Sequence, residues 1–243
     1  MKFLTLSIFS EQPNLLHAIF NRHGGLSKAP FDSLNNSFGV GDDPLTVYAN
    51  RKIIQDSLHL DILKSVRQIH SDRVLIVRSK PTKDLEEEGY DALITDVPNL
   101  GLLIQQADCQ AVMLYDPCTK VIANIHAGWK GATVNIIRAT IRKMTAAFGT
   151  VPADILAGIS PSLGPCCAEF IHYQTELPFE LHKYQKAANH FDFWAISRDQ
   201  LIAEGVEHNR IEIAKICTRC NQDYFSYRRE KTTGRCGSII ALR

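Results

Sequence analysis

Cys109-Gln-Ala-Val-Met-Leu-Tyr-Asp-Pro-Cys-Thr-Lys-Val-Ile-Ala-Asn-Ile-His126 is the stretch that decides the fold. Two apolar runs flank Asp116-Pro117-Cys118-Thr119. Proline presets φ at the second position of a β-turn, and aspartate at the first can bond the backbone beyond it. The pattern predicts a β-hairpin. With Asp116 opposite Thr119, antiparallel counting sets residue 112 against 123 and 109 against 126. Directly opposed residues share a face with Cβ atoms roughly 5 Å apart. A thiol and an imidazole so placed can share a metal ion or act as a nucleophile–base pair. Register decides the outcome, since a slip of one residue sends the partners to opposite faces.

The rest of the chain gives the hairpin a core to join. Its 243 residues suffice for one domain, expected to span 1–243. Hydrophobic residues make up 45% and charged residues 22%, ordinary for a globular protein, and the net charge is +1. That balance gives no reason to expect nucleic acid or an anionic membrane as partner. No apolar run reaches the length of a membrane span. Met1-Lys-Phe-Leu-Thr-Leu-Ser-Ile-Phe9 lacks a small-x-small cleavage site and reads as a strand. Seven cysteines without a signal peptide suggest reduced thiols in the cytoplasm.

Further strands are expected at 15–21, 66–70, 74–77, 92–95, 100–105, 155–159, 169–173, 211–216 and 239–242. Asp43-Pro44 opens a helix whose apolar residues recur at helical spacing through Leu58. Residues 131–148 form the clearest helix, with Gly149 as its stop. Ser197-x-x-Gln200 has the form of a capping box. Lys80 to Glu88 reads as a solvated loop. Helices and strands mix without regular βαβ alternation, which predicts an α+β domain: mixed and antiparallel sheets flanked by helices.

Reactive side chains concentrate in Gln68-Ile-His70, Ala107-Asp-Cys109 and His126-Ala-Gly-Trp-Lys-Gly131. Two histidines and one cysteine suit a catalytic zinc site, leaving a fourth tetrahedral position open. Each can equally be structural, a hydrogen-bonded histidine or a cysteine serving as apolar filler. Gly128 and Gly131 bracket a strand-to-helix junction where Lys130 and helix N–H groups could meet an anion, or where the glycines merely allow a tight turn. Cys166-Cys167 suggests a shaped loop. Cys217-Thr-Arg-Cys220 has zinc-knuckle spacing but no second C-x-x-C to complete four thiolates. Tyr224-Phe-Ser-Tyr-Arg-Arg229 mixes aromatic and basic residues, which strand packing explains as well as nucleic acid does.

Arg22-His-Gly-Gly-Leu-Ser27, Gly41-Asp-Asp-Pro44, Asn50-Arg51, Gln68-Ile-His70, Asp91-Ala-Leu-Ile-Thr95, Ala107-Asp-Cys109, His126-Ala-Gly-Trp-Lys-Gly131, Pro161-Ser-Leu-Gly-Pro-Cys-Cys167, Phe225-Ser-Tyr-Arg-Arg229 and Thr233-Gly-Arg235 together resemble the laccase-domain family. That family is also called multicopper polyphenol oxidase-like and is regarded as purine nucleoside phosphorylases. The resemblance implies a zinc site made by His70, Cys109 and His126, with copper as the alternative metal. It implies phosphorolysis of adenosine, inosine, guanosine and methylthioadenosine, and adenosine deamination as a second activity, with a purine nucleoside and phosphate as partners. It also implies a fold like the catalytic domain of cytotoxic necrotizing factors, which are Cys–His deamidases.

Within that frame Arg51 is the first candidate to hold phosphate and Arg22 the second. Asp108, beside Cys109, is a candidate base or partner of the metal ligand. Lys130 stands where the family usually has arginine, which weakens bidentate anion binding there. Two other readings compete: a metal-free hydrolase with Cys109 as nucleophile and His126 as base, and a copper polyphenol oxidase. Against the oxidase, none of the nine histidines lies two residues from another, so the His-x-His pairs of a trinuclear copper centre are missing.

Overall fold

Four central strands are buried along their whole length: Leu100–Gln106, Gln110–Asp116, Val121–Ala127 and Cys236–Leu242. Burial on both faces requires a layer on each side, and the computed structural model, which describes residues 2–83 and 85–243, supplies them. A five-stranded sheet runs in the order Phe3–Leu4, Leu15–Phe20, Cys236–Leu242, Leu100–Gln106, Ile62–Lys64. A six-stranded sheet runs Ile211–Ile213, Leu156–Ile159, Gln110–Asp116, Val121–Ala127, Ala92–Thr95, Val74–Val77. Both are mixed. Ile62–Lys64, Ile211–Ile213 and Val74–Val77 pair parallel and the others antiparallel.

The sheets pack face to face over Leu100, Leu102, Ile240, Ala111, Met113 and Ile122. The helix Ile136–Phe148 covers the outer face of the six-stranded sheet through Ile137, Ile141 and Met144. Truncating one of these to alanine would cost about 2–5 kcal/mol. Ile54 of the helix Pro44–Ser57 and Leu58 just beyond it cover the outer face of the five-stranded sheet. The result is an α+β domain of four layers, helix, sheet, sheet, helix.

The hairpin forms, with one correction. Asp116 pairs with Val121, not Thr119, so residue 112 faces 125 and Ala111 faces His126. Four residues make the loop. Asp116 Oδ1 accepts from Cys118 N at 2.9 Å, Oδ2 accepts from Thr119 Oγ1 at 2.6 Å, and Lys120 turns the chain at φ +53°. The offset is two residues, so every side chain keeps its face.

Other expectations are revised by tertiary context. The 131–148 helix is two helices, Trp129–Val134 and Ile136–Phe148, broken at Asn135 with φ +57°, whose side chain caps Arg138 N. The strand expected at 66–70 stops at Arg67. In place of the strand expected at 169–173 there is an isolated bridge from Glu169 to His190, and Tyr173 opens the short helix Tyr173–Glu176. Ser197 lies inside the helix Phe193–Ala203, bonded to Gln110 Oε1, and Asp192 is the cap. At the N-terminus only Phe3–Leu4 is strand. Glu87–Glu88 pairs with Val66–Arg67 and Glu86 is tied to Arg51, so the charged segment is not wholly a solvated loop; Asp84 lies outside the described residues.

Candidate metal centre and active site

Leu100–Gln106 leaves one sheet and Gln110–Asp116 enters the other, so Ala107-Asp108-Cys109 is the step between them. Asp108 takes φ +86° there. Such a conformation is costly for a side-chain residue and is held by its surroundings. The Asp108 carboxylate accepts from Thr218 Oγ1 and Ser226 Oγ, both at 2.7 Å, and from Arg228 N at 2.6 Å. Its backbone carbonyl accepts from Leu163 N at 2.8 Å. With these donors Asp108 anchors the loop that presents Cys109. His126 is buried near the end of the neighbouring strand, on the face shared with Ala111.

His70 arrives from a loop. Its φ is +64°, and its backbone is held by Asp91, which is fully buried. The Asp91 carboxylate accepts N–H bonds from His70 at 2.8 Å, Ser71 at 2.7 Å and Ile69 at 3.2 Å. It also lies 2.9 Å from His126 Nδ1. Gln68 adds a second tether, its amide donating to Gln105 O and accepting from Gln105 N. The donor atoms of His70, Cys109 and His126 all lie within 4.8 Å of one another. Cys109 Sγ is 3.8 Å from His70 Nε2, and the two imidazoles meet edge to face with centroids 4.8 Å apart.

Electrostatics follows from this packing. Burial alone would raise the Cys109 thiol, but the His126 charge and hydrogen bonds from both imidazoles bring it down to about 6. Burial alone would lower His126, but Cys109 and Asp91 raise it to about 9. Burial likewise works to raise Asp91, which hydrogen bonds from His126 and Ser71 hold down at about 2. Without metal, the two opposed shifts favour a thiolate beside an imidazolium.

The cluster fits a metal. Two imidazoles and a thiolate are borderline-soft donors that suit zinc. With Asp91 on Nδ1, His126 turns its Nε2 to the cluster, as carboxylate-oriented metal histidines do. A Cβ at Gly128 would lie 2.8 Å from Cys109 Sγ and 2.9 Å from His70 Cδ2, so glycine there keeps the cradle open.

The cluster opens into a cavity of about 800 Å³. Trp129, Phe170, Phe193 and Tyr227 form aromatic wall, and Arg67, Arg228, Lys231 and Arg235 bring positive charge. Arg235 is held by Nη1 bonds to Thr233 O and Gly234 O, at 2.8 and 3.0 Å. Among the described residues, no hydrogen bond occupies its Nε or Nη2.

Three expected substrate residues do not line this cavity. Arg51 is 2% exposed, ion-paired with Glu86 at 2.6 Å, and donates to Ser65 Oγ and Asn36 O. Arg22 pairs with Glu230 at 2.7 Å and lies over the Phe225 ring. Lys130 is exposed, its ammonium 5.5 Å from the Trp129 ring centroid. The helix behind it has only six residues. Their charges face structure or solvent, and the arginines that line the cavity are Arg67, Arg228 and Arg235. Asp91 and Arg235 were within matching motifs but carried no role. The signal for Asp91 was a lone carboxylate opening the apolar strand Ala92–Thr95, in a chain with metal-type histidines to orient.

Comparison with known proteins agrees with this architecture. The family model described as multi-copper polyphenol oxidoreductase laccase matches residues 16–243. The chain belongs to this laccase-type family. Among relatives of this laccase-type protein is one from Bacteroides thetaiotaomicron named purine nucleoside phosphorylase, 31% identical and covering 94% of this chain and 91% of its own. A Streptomyces coelicolor protein of the same name is 34% identical, covering 91% and 93%. The crystal structure of YlmD from Geobacillus stearothermophilus superposes with a TM-score of 0.89 at 28% identity, covering 100% of this chain and 97% of its own. That of a Bacillus licheniformis hypothetical protein, YfiH, gives 0.88 at 30% identity, covering 96% and 94%. No helix among the described residues of the laccase-type chain is long and apolar enough to cross a membrane.

Proposed function

We propose that this protein is a zinc-dependent purine nucleoside phosphorylase acting on adenosine, inosine, guanosine and methylthioadenosine, with adenosine deamination as a second activity. The observation that carries the reading is the convergence of His70, Cys109 and His126 at a cavity that also holds aromatic walls and arginines. The names of the relatives point the same way.

His70, Cys109 and His126 would hold the metal. Bound zinc supplies Lewis acidity, lowering the pKa of a bound water to about 7. The remaining chemistry belongs to side chains. Trp129, Phe170 and Phe193 offer π-faces for the purine. Arg235, whose Nε and Nη2 have no hydrogen-bond partner among the described residues, and Arg228 hold the phosphate. In phosphorolysis a phosphate oxygen forms a bond to C1′ of the ribose as the C1′–N9 bond breaks. Its electron pair leaves with the purine, which takes up a proton. Asp91 keeps His126 in one tautomer, and Asp108 positions Cys109.

A second reading has its own support: the Cys109 thiolate and His126 imidazolium form a nucleophile–base pair that would serve a metal-free hydrolase. The oxidase reading has only the family's name in its favour.

The deciding experiment incubates the purified protein with a nucleoside panel, with and without phosphate, and resolves products by chromatography. Free purine and ribose 1-phosphate formed only with phosphate, together with stoichiometric zinc, is the expected result. Zinc-loaded protein that releases no base from any nucleoside would remove the phosphorylase reading. Turnover that survives complete removal of metal would favour the thiol hydrolase.

A further inference from the structure

Cys166, Cys167, Cys217 and Cys220 meet on the flank of the same cavity wall. Two loops carry them, 160–169 and 214–226, each without regular structure of its own over the cysteines. A parallel bridge between Ser162 and Cys217 sets the loops side by side, with Ser162 N donating to Ile216 O and Thr218 N to Ser162 O. The turn after Gly164, with Cys167 N bonded to Gly164 O, then brings the adjacent thiols across to the Cys217-Thr-Arg-Cys220 turn, itself closed by Asn221 N to Cys217 O.

All four sulfur atoms lie within 4.8 Å of one another. Cys166 Sγ is 3.8 Å and Cys167 Sγ is 3.4 Å from Cys220 Sγ. A tetrahedral Zn–S₄ site with bonds near 2.3 Å requires sulfur–sulfur edges of about 3.8 Å. The two edges at Cys220 are close to that length and no edge exceeds 4.8 Å, so a small inward adjustment brings the four sulfurs to that tetrahedron. None of the four is in a disulfide.

We propose that these four cysteines form a second, closed metal site that takes zinc as a tetrathiolate. A pair of adjacent cysteines here supplies the two ligands that a second C-x-x-C would otherwise provide. Soft thiolate donors select zinc over hard divalent ions, and four protein ligands leave no open position, so the site is structural. Zinc with four thiolates carries a net charge of −2. Arg219, inside the C-x-x-C turn, sets Nη1 3.5 Å from Cys167 Sγ and offsets part of that charge.

The site braces the catalytic wall. Thr218, next to Cys217, donates to Asp108 Oδ1, and Leu163 donates to the Asp108 carbonyl. Arg229 Nη1 bonds the carbonyls of Thr218 and Arg219, and Arg228 Nη1 reaches the carbonyls of Cys167 and Glu169. A metal fastening the two loops would therefore hold the frame around Asp108, and through it Cys109.

Metal content of the whole protein, purified under reducing conditions without chelator and with added zinc chloride, tests the proposal. Wild type should carry two zinc ions per chain, and Cys220→Ser should lose one equivalent. Cys109→Ala reports on the first site separately and should also lose one. Because a serine variant can misfold, wild-type protein reconstituted with cobalt chloride gives an independent readout. The intense thiolate-to-cobalt charge transfer of a tetrathiolate should appear at one equivalent per chain and persist in Cys109→Ala. Zinc content unchanged between wild type and folded Cys220→Ser would overturn the proposal. So would a cobalt spectrum abolished by Cys109→Ala, or a mass spectrum of the freshly purified protein showing Cys220 in a disulfide with Cys166 or Cys167.

Discussion

Asp91 Oδ1 lies 2.9 Å from His126 Nδ1 and 2.8 Å from the backbone N of His70, so one buried carboxylate governs two of the three candidate metal ligands. It orients one imidazole directly and fixes the loop that carries the other. Asp91→Asn keeps the volume but offers one acceptor oxygen where two are in use, and its amide would face N–H donors. Metal affinity should fall about 10- to 100-fold, the usual cost of losing a carboxylate that orients a metal histidine. Chelator competition for zinc on wild type and variant measures it. Equal affinities would show that the carboxylate serves folding alone.

Gly128 makes a sharper test of the cradle. A methyl group there would lie 2.8 Å from Cys109 Sγ, so the thiol must move. Gly128→Ala should lower phosphorolysis by tens- to about a hundred-fold, the scale on which small displacements at a reacting centre act. Its φ of −82° is open to alanine, so thermal stability should change little. Turnover at the wild-type level would mean that Cys109 is not needed where it lies.

The arginines can be separated by phenotype. Arg235→Met should raise the KM for phosphate by about ten- to a hundred-fold, the worth of roughly 1.5–3 kcal/mol of charge-assisted hydrogen bonding. The proposed adenosine deamination, which consumes no phosphate, should be affected far less. Arg51→Met should instead destabilise the fold, by about 3 kcal/mol, because it leaves Glu86 without its buried partner. Steady-state kinetics in varied phosphate and urea denaturation of both variants decide. Arg51→Met with intact stability and a raised phosphate KM would reverse the assignment.

In metal-free protein the Cys109 thiol should titrate near 6 and His126 near 9. Cys109 is depressed, so its thiolate is lost as pH falls through about 6. His126 is raised, so its imidazolium is lost as pH rises through about 9. The ion pair therefore contributes stability between those limits. The difference in ultraviolet thiolate absorbance between wild type and Cys109→Ala, followed against pH in chelator, reports the first step. A midpoint at the ordinary thiol value near 8.5 would contradict the pairing.

His17 gives an acid-side prediction far from the site. Its Nε2 accepts from Leu6 N at 2.7 Å, and burial pushes it down to about 4 against the pull of Glu212. The unfolded chain takes up that proton near 6.5. Stability from neutral His17 is therefore present above about 6.5 and is lost as pH falls toward 4. Urea midpoints of wild type should drop over that range more steeply than those of His17→Gln, which keeps a neutral acceptor. Parallel curves would refute the assignment.

Local chemistry was legible without the fold. Asp43-Pro44 had to open a helix, because its side chain and preset φ satisfy the first turn whatever packs around it. Asp116-Pro117 had to turn, and Gly149, at φ +74°, had to stop a helix. The likeness of ten short motifs to one family also pointed to His70, Cys109 and His126 as a set. Where side chains compete for distant partners, local pattern misled. Ser197 resembled a cap until Gln110 took its hydroxyl, and Arg51 resembled an anion site until Glu86 and Ser65 took its guanidinium.

Residues 1–243 carry the identity of the candidate donors in the order in which they are written, and that much the sequence by itself determined: two imidazoles and a thiolate. Tertiary structure alone decided which groups converge. Asp91 reaches both histidines because a strand and a loop 20 residues apart in sequence are folded together, as the bond from Ser71 N to Asp91 Oδ2 records. Cys166-Cys167 meets Cys217 and Cys220 because a single bridge between Ser162 and Cys217 aligns two loops. Spacing along a chain encodes contacts within a turn, a helix or a hairpin. Contacts between loops depend on how the layers pack, and no local pattern holds that information.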